Sequence, residues 1–299
     1  MAYAATHVLE GAHGVAGPCI DPRAIKTVRR GGLLFSYVHE EEFSLLYADI
    51  FHDEVYRFRS GTPSPVILDC GAHIGLSVLY FKALYPDAEV IAFEPNPNTF
   101  GILQRNIEQN AVKGVTLVNA AIADAPGTVE FYVNRDPHFW SWGDAAIKND
   151  WYNLNRWITI AVRATTLDSH LHRRVDFLKL DVEGLEAAVL RQAGEALSAV
   201  DQAVVEFHGS STNPSNSFES VLASLTGHGL RVAVAQAKTF VSASRVRKDP
   251  YTLLMYADRN PVRFVRQYKV RPLVKQVRRK IHAIGSRLKG LNSGAVASA

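Results

Sequence analysis

The sequence is poor in cysteine. Only Cys19 and Cys70 occur among its 299 residues, far apart and in neither a metal-ligand nor a redox spacing. Two cysteines with this spacing support neither a disulfide framework nor a cysteine-based zinc site. We expect Cys70, which follows an apolar run, to be a small buried hydrophobic residue.

Long hydrophobic runs are also missing. No stretch approaches the roughly eighteen apolar residues that mark a membrane span, and the opening M-A-Y-A-A-T-H has neither the basic region nor the apolar block of a signal peptide. We therefore expect a cytoplasmic protein. With 299 residues, 47% of them hydrophobic, the chain can build one large domain or two small ones.

Positive charge is scarce except near the C-terminus. Residues 1–257 carry 22 Lys and Arg against 28 Asp and Glu, a net charge of −6, whereas residues 258–299 carry 11 against 1, a net charge of +10. The mildly acidic body offers no case for nucleic-acid binding. In the tail, one helical stripe is aliphatic: Leu273, Val277, Ile281, Ile284 and Leu288. Such a helix is typical of peripheral contact with an anionic membrane; the alternative is a helix docked on its own domain.

Short apolar runs alternate with helical periodicity from residue 65 onward. Runs that are apolar on both faces indicate parallel strands covered by helices on both sides, at residues 66–69, 89–94, 115–119, 176–181 and 203–207. Residues 230–235 and 251–256 are joined by a polar, basic loop with no crossover helix, so we expect them to pair antiparallel. The pattern predicts an α/β fold of five parallel strands plus a terminal antiparallel pair.

These elements divide the chain into three parts. Residues 1–64 are expected to form an N-terminal helical cap, residues 65–257 the main domain, and residues 258–299 the basic tail. Within the main domain, residues 124–168 are expected to form an inserted hairpin with a lid-like loop rich in aromatic residues. The rings of that loop have two interpretations, stacking on a ligand or packing the insertion onto the body.

The turn after the first parallel strand, V-I-L-D-C-G-A-H-I-G-L-S, indicates a ligand site. Gly71 and Gly75 permit close approach of the backbone to a ligand, and Asp69 stands where a dinucleotide-binding turn would have its first glycine. A carboxylate repels a pyrophosphate but suits a cationic ligand such as S-adenosylmethionine. Glu94, at the next strand end, could accept both ribose hydroxyls, and a further strand ends at Asp181. The alternative is a tight turn with a purely structural role, but acidic residues at the ends of three strands make it less favoured than a ligand site.

Six motifs in this order resemble the FkbM family of S-adenosylmethionine-dependent methyltransferases: V-I-L-D-C-G-A-H-I-G-L-S, I-A-F-E-P-N-P, V-N-A-A-I, T-T-L-D, F-L-K-L-D-V-E-G-L-E and V-V-E-F-H. The resemblance implies the sheet of a class I methyltransferase and O-methylation, often of a sugar, a polyketide or a related metabolite. His73 departs from it, since many relatives have Asn there. The set that we assign to the cofactor is Asp69, Gly71, Ala72, Gly75, Glu94, Pro95, Asn96, Ala121 and Asp181.

Candidate catalytic residues lie at the ends of the fourth and fifth strands, because a general base must face the transferred methyl group. They are Lys179, Asp181, Glu183, Glu206 and His208. We favour His208 as the base, since imidazole titrates nearest to neutral pH, over a histidine that only satisfies loop carbonyls. Asp181 would hold the methionine amino group or orient the base, Lys179 is the third catalytic candidate, and Glu183 could merely cap the following helix.

A metal-assisted site is a further possibility. Asp181, Glu206 and His208 offer ligands for Mg²⁺, but the sequence lacks a D-D or D-N pair at these strand ends, so we favour a site without metal. Two other functions stay open: a nicotinamide-dependent oxidoreductase, which Asp69 disfavours, and a non-catalytic protein that binds S-adenosylmethionine. The expected acceptor is a small molecule or a lipid-linked glycan.

Overall fold

The computed structural model describes residues 7–9, 19–141, 143–147, 157–236, 239–240 and 251–269. The amphipathic helix predicted at residues 273–288 lies outside the described residues, as does the part of the aromatic loop that contains Trp151. The membrane contact expected of the tail therefore stays a prediction. Among the described residues, no helix combines the length and apolar character needed to cross a bilayer.

The described residues form an α/β fold. Its strands are β1 (His7–Leu9), β2 (Lys26–Arg30), β3 (Leu33–Tyr37), β4 (Val66–Cys70), β5 (Glu89–Phe93), β6 (Val115–Val118), β7 (Ala121–Ala123), β8 (Gly127–Asn134), β9 (Trp157–Thr166), β10 (Phe177–Leu180), β11 (Gln202–Gly209), β12 (Arg231–Gln236), β13 (Thr239–Phe240) and β14 (Tyr251–Asp258). Its α-helices are α1 (Glu40–Tyr47), α2 (Leu76–Leu84), α3 (Pro97–Gln109), α4 (Glu186–Ala193), α5 (Phe218–Gly227) and α6 (Pro261–Phe264).

The main sheet has the strand order β1-β6-β5-β4-β10-β11-β14-β12-β13. β4 lies in the middle and pairs parallel with β5 and β10, and β10 pairs parallel with β11. β14 runs antiparallel to both β11 and β12, which confirms the predicted terminal antiparallel pair. The seven strands from β6 to β12 have the order of a class I methyltransferase sheet, as the resemblance implied.

Both faces of the central strands are buried, and alternate residues contribute to two separate hydrophobic clusters. Ile67 of β4 and Phe177 of β10 pack under α2 and α3, where Phe177 stacks on Phe58 with ring centroids 4.3 Å apart. Leu68 and Leu178, one position further along, face α4 and α5. A strand apolar on both faces can be stable only between two helical layers, which explains the continuous apolar runs of the sequence.

Helix α3 begins at a side-chain cap. The Asn96 side chain accepts a hydrogen bond of 2.9 Å from the backbone N–H of Asn98, and Pro97 occupies the first helical position, where its missing N–H costs nothing. Because Asn96 follows β5 by only a few residues, this cap also fixes the turn that leaves the sheet at Glu94.

The insertion between β6 and β10 forms a small sheet of its own. β8 and β9 pair as an antiparallel hairpin, and β7 pairs parallel with β9. The structure therefore contains the hairpin predicted within residues 124–168. The short loop segment that follows β8 returns toward the main sheet and contributes Ser141 and Asp144 to the ligand cleft described below.

The N-terminal region contains more than helix. A β2–β3 hairpin precedes α1 and packs on α3, where Asn106 accepts a hydrogen bond of 2.6 Å from the N–H of Ser36 and donates one of 2.9 Å to the Ser36 carbonyl oxygen. β1 adds a parallel strand next to β6 at one edge of the main sheet. The helical cap predicted at residues 1–64 is therefore corrected to a mixed segment, part of which extends the sheet.

The predicted tail boundary at residue 258 also needs correction. Asp258 ends β14 and receives two hydrogen bonds of 2.8 Å from the guanidinium of Arg263. Tyr268 packs against Tyr256 of the same strand, with ring centroids 5.1 Å apart. Residues 258–269 thus belong to the domain, because a buried carboxylate at the end of β14 needs the arginine that follows it.

Candidate active site

The turn after β4 approaches the end of β10 so closely that only glycine fits. Gly71 has φ +89°, and a Cβ atom there would lie 2.0 Å from the backbone oxygen of Asp181. Gly75 has φ +87° at the start of α2, and its added Cβ would lie 2.5 Å from Leu103 Cδ1. The glycines therefore serve the contacts between strand, turn and helix, as well as leaving the turn open toward the cleft.

A cleft crosses the carboxyl ends of β5, β4 and β10. It encloses about 680 Å³ of empty space, part of it open to solvent. Five of the predicted cofactor residues line it: Gly71, Glu94, Pro95, Ala121 and Asp181. Its other walls include the catalytic candidate Glu183 and residues that were not predicted from the sequence, among them Phe93, Ile122, Phe131, Asp144 and Val182.

Asp69 does not line this cleft, contrary to its predicted contact with a cationic cofactor. It is fully buried, accepts a hydrogen bond of 2.5 Å from Ser77 Oγ and lies 3.5 Å from Lys179 Nζ. Burial raises its pKa, while Lys179 and Ser77 act in the opposite direction. Asp69 therefore stabilises the turn from the side of α2, because strand alternation directs its side chain toward that helix and not toward the cleft.

Three further predicted cofactor residues support the cleft without lining it. The N–H of Ala72 donates to the carbonyl oxygen of Phe93 at 2.8 Å, Gly75 packs on α3, and Asn96 caps α3. Asn96 Nδ2 also donates to Asp144 Oδ2 at 2.6 Å, which joins the inserted loop to the end of β5. Burial raises the pKa of Asp144 well above its usual value.

Glu94 lies at the end of β5 with both carboxylate oxygens already engaged. Oε1 accepts hydrogen bonds from the Asn96 N–H at 2.9 Å and from Thr99 Oγ1 at 2.8 Å, and Oε2 accepts one from the His73 N–H at 2.8 Å. Since a carboxylate has about four lone-pair positions, one position remains, on Oε2. A bidentate contact with a ribose, as predicted, would need a free position on both oxygens, whereas only Oε2 keeps one. Burial raises the pKa of Glu94 to about 7.

Lys179 is enclosed and fully engaged. Its Nζ donates to the Gly71 carbonyl oxygen at 2.7 Å and to Asp181 Oδ2 at 3.1 Å, and it lies 5.2 Å from the centre of the Tyr56 ring. Burial alone would lower its pKa, but the carboxylates of Asp181 and Asp69 outweigh this and raise it. A permanently charged ammonium that holds two strand ends together is a positioning group, which does not suit the catalytic role predicted for it.

His208 lies between two carboxylates. Its Nδ1 is 3.0 Å from Glu186 Oε1, and its Nε2 is 3.6 Å from Glu183 Oε2. Burial alone would lower the pKa of His208, but Glu183 and Glu186 outweigh it and raise that pKa well above its usual value. The two carboxylates therefore favour the protonated imidazole, so the geometry does not favour the neutral free base predicted from the sequence.

Glu183, a catalytic candidate for which helix capping was the alternative, is the acidic neighbour of His208. It has φ +53°, an unusual backbone conformation that turns its carboxylate into the cleft, next to Asp181. Glu206 instead accepts a hydrogen bond of 3.0 Å from the Tyr56 hydroxyl. One ligand atom from each of Asp181, Glu183 and His208 lies within 4.8 Å of the other two. The sequence grouped Asp181 and His208 with Glu206 as possible metal ligands, whereas the structure groups them with Glu183.

The residues present fit S-adenosylmethionine. Phe93, Ile122 and Phe131 provide apolar wall for an adenine, and Glu94 keeps one acceptor position for a ribose hydroxyl. Asp181 Oδ1 is buried and has no hydrogen-bond partner, as expected of a carboxylate that faces a cation. These features do not fit a dinucleotide, whose pyrophosphate would meet the carboxylates of Asp181 and Glu183.

Together, the strand order and the acidic cleft above β4 define a class I S-adenosylmethionine-dependent methyltransferase. Residues 69–232 match the family model described as the methyltransferase FkbM domain, and the chain belongs to that family. It is 30% identical over 211 residues to Methyltransferase 1 of Beauveria bassiana (strain ARSEF 2860), with 64% of this chain and 83% of that protein covered.

Two further relatives cover most of their own length. The chain is 28% identical over 247 residues to the 31-O-demethyl-FK506 methyltransferase FkbM of Streptomyces tacrolimicus, with 72% of this chain and 93% of that protein covered. It is 29% identical over 197 residues to Methyltransferase sdnD of Sordaria araneosa, with 54% of this chain and 73% of that protein covered. The family predicted from the sequence motifs is confirmed.

Proposed function

We propose that the protein transfers the methyl group of S-adenosylmethionine to a hydroxyl oxygen of a small organic molecule. The observation that carries the proposal is the placement of Glu94 and of the pair Asp181 and Glu183 along one cleft, at the ends of strands on either side of β4. The name of the Streptomyces relative, a 31-O-demethyl-FK506 methyltransferase, supports oxygen as the acceptor atom.

Each part of the cleft has a distinct task in this reaction. The bound cofactor supplies a methyl carbon on a positively charged sulfur. Glu94 Oε2 accepts one ribose hydroxyl, and Asp181 Oδ1 faces the positive charge. Lys179 keeps Asp181 oriented by holding Oδ2 at 3.1 Å, and it fixes the turn through the Gly71 carbonyl oxygen. Orientation of the reactants accounts for much of the rate of such a displacement.

The acceptor hydroxyl must lose its proton as its oxygen bonds to the methyl carbon. Glu183 lies in the wall of the cleft, and His208 directly behind it balances its negative charge. We therefore assign proton acceptance to the Glu183 carboxylate, with His208 as the group that holds it in place and opposes the rise of its pKa to about 8 that burial causes. Proton transfer of this kind contributes on the order of 10²–10⁴-fold to a rate.

The experiment uses S-adenosylmethionine labelled with ¹³C at the methyl carbon and a set of hydroxylated small molecules. We expect label in a methyl ether, identified from the carbon spectrum of the product, and none without the protein. Label on nitrogen or carbon would contradict O-methylation. Calorimetric binding of S-adenosylhomocysteine without transfer to any acceptor would favour a non-catalytic binding protein, and preferential binding of NADH would favour the oxidoreductase alternative.

A further inference from the structure

Asp181, Glu183 and His208 meet at the carboxyl ends of β10 and β11, on one side of the cleft. One ligand atom from each residue lies within 4.8 Å of the other two, a separation that a single cation can bridge. We propose that these three residues bind a divalent cation of the first transition series. The proposal rests on the proposed function only for the role of the cation, because binding of the metal itself requires neither cofactor nor acceptor.

The surroundings of His208 support this assignment. A carboxylate can only accept, so Nδ1–H donates to Glu186 Oε1 at 3.0 Å, and a cation at Nε2, which lies 3.6 Å from Glu183 Oε2, would replace the second proton that these carboxylates favour on the imidazole. Glu186 is fully buried and is itself fixed by the Gly184 N–H at 3.0 Å and by Asn216 Nδ2 at 2.5 Å. A ligating histidine characteristically donates its other nitrogen to such a carboxylate, which sets both the tautomer and the ring orientation.

Asp181 supplies a second, independent observation. Its Oδ2 is held by Lys179 Nζ at 3.1 Å, whereas its Oδ1 is out of contact with solvent and has no hydrogen-bond partner. A buried carboxylate oxygen without a donor costs free energy unless a cation satisfies it. Either the ammonium of the cofactor or a metal ion would satisfy Asp181 Oδ1. The two explanations can be distinguished, because a metal ion would bind even when no cofactor is present.

The ligand set indicates which cations fit. Magnesium prefers oxygen ligands and keeps several waters, whereas imidazole nitrogen suits first-row transition metals. A set of two carboxylates and one imidazole therefore favours Mn²⁺ or Fe²⁺ over Mg²⁺. Three protein ligands leave coordination positions free, so an acceptor hydroxyl could bind there and lose its proton more readily. The residues that the sequence suggested for Mg²⁺ included Glu206, which points instead to Tyr56.

The test is a titration of the chelator-treated full-length protein with Mn²⁺, followed by the electron paramagnetic resonance signal of the free hydrated ion. Without any cofactor present, we expect the signal of free Mn²⁺ to stay low until one equivalent of Mn²⁺ has been added per protein molecule, and to rise with each further addition. Glu183→Gln should raise the dissociation constant at least about tenfold, since even residues that only orient a ligand change metal affinity by about 10–100-fold. Glu206→Gln, the matched control, should bind Mn²⁺ as the wild type does.

Several outcomes overturn the proposal. They are a free-ion signal that persists in the wild type, equal loss of binding in Glu206→Gln and Glu183→Gln, and an affinity for Mg²⁺ as high as that for Mn²⁺. Asp181→Asn replaces Glu183→Gln if circular dichroism shows that the latter is unfolded. Methyl transfer that continues unchanged in chelator, together with no Mn²⁺ binding, would reject the metal and leave the proposed function intact.

Discussion

A Cβ atom at Gly71 would lie 2.0 Å from the backbone oxygen of Asp181. The turn after β4 and the end of β10 therefore touch backbone to backbone, and Lys179 Nζ reinforces the contact by donating to the Gly71 carbonyl oxygen at 2.7 Å. The cofactor turn and the acidic cluster are thus held at a fixed distance from one another. The spacing between the turn and these acidic residues is accordingly a property of the main sheet and not of the inserted loop.

The first prediction concerns this contact. Gly71→Ala should lower the free energy of unfolding by well over the roughly 1–2 kcal/mol that alanine costs at positive φ, because the backbone of Asp181 must also move. Urea denaturation measures the loss. Gly101→Ala is the control: it lies in α3 with no atom within 4 Å of an added Cβ, and the change should stabilise by about 0.5–1 kcal/mol. Equal stability of both variants would contradict the contact.

A second prediction concerns the pH dependence contributed by Glu94. Its pKa is raised from the usual 4.5 to about 7, so between these values the folded protein keeps a proton that the unfolded chain loses. The contribution of Glu94 to the free energy of unfolding should therefore fall as pH rises through this window, by up to about 3 kcal/mol in total. Denaturation at several pH values should show a shallower decline in Glu94→Gln than in the wild type.

The same carboxylate should make cofactor binding depend on pH. Only the ionised form offers Oε2 as a pure acceptor to a ribose hydroxyl, so affinity for S-adenosylhomocysteine should rise as pH passes through about 7. At pH 8, Glu94→Gln should bind more weakly by about 1.5–3 kcal/mol, which calorimetry measures. Glu108→Gln, an exposed change on α3, is the control. Affinity unchanged in Glu94→Gln would remove Glu94 from the cofactor site.

The fourth prediction concerns Lys179. Lys179→Met should destabilise the fold by about 3–5 kcal/mol, because the buried carboxylate of Asp69 and the nearby Asp181 lose their counter-charge. Adding Asp69→Asn should recover part of the loss. Lys26→Met breaks an exposed ion pair with Glu40 and should change stability by less than about 1 kcal/mol. A similar small effect of both lysine substitutions, in urea denaturation, would refute the positioning role.

A fifth prediction separates catalysis from cofactor binding. His208→Ala should lower turnover by about 10²–10⁴-fold at saturating acceptor, since Glu183 loses the group that orients it, while affinity for S-adenosylhomocysteine stays the same. His228→Ala removes a histidine near the surface, outside the cleft, and should leave both quantities unchanged. Near-normal turnover in His208→Ala would rule out the role that we assign to the Glu183–His208 pair.

The sequence by itself determined seven strands of the main sheet, the antiparallel β12–β14 pair and the acidic residues at the strand ends, but it did not indicate β1 or β13. These follow from periodicity and from local turn chemistry, which act over a few residues. The start of α3 at Asn96 and Pro97 was predictable for the same reason. The motifs around Gly71 and Asp181 were also sufficient to indicate the family.

Only the tertiary structure decided which of the acidic residues face the cleft. Asp69 was predicted to contact the cofactor but is enclosed beneath the turn, and Glu206 was predicted beside His208 but accepts from Tyr56. Glu183 takes the place of Glu206 because its backbone adopts φ +53°, a conformation that no spacing rule anticipates. Alternation along a strand predicts which side chains share a side of the sheet. The direction of a side chain in a loop, such as Glu183, depends instead on neighbours that are distant in the sequence, here the strands of the main sheet.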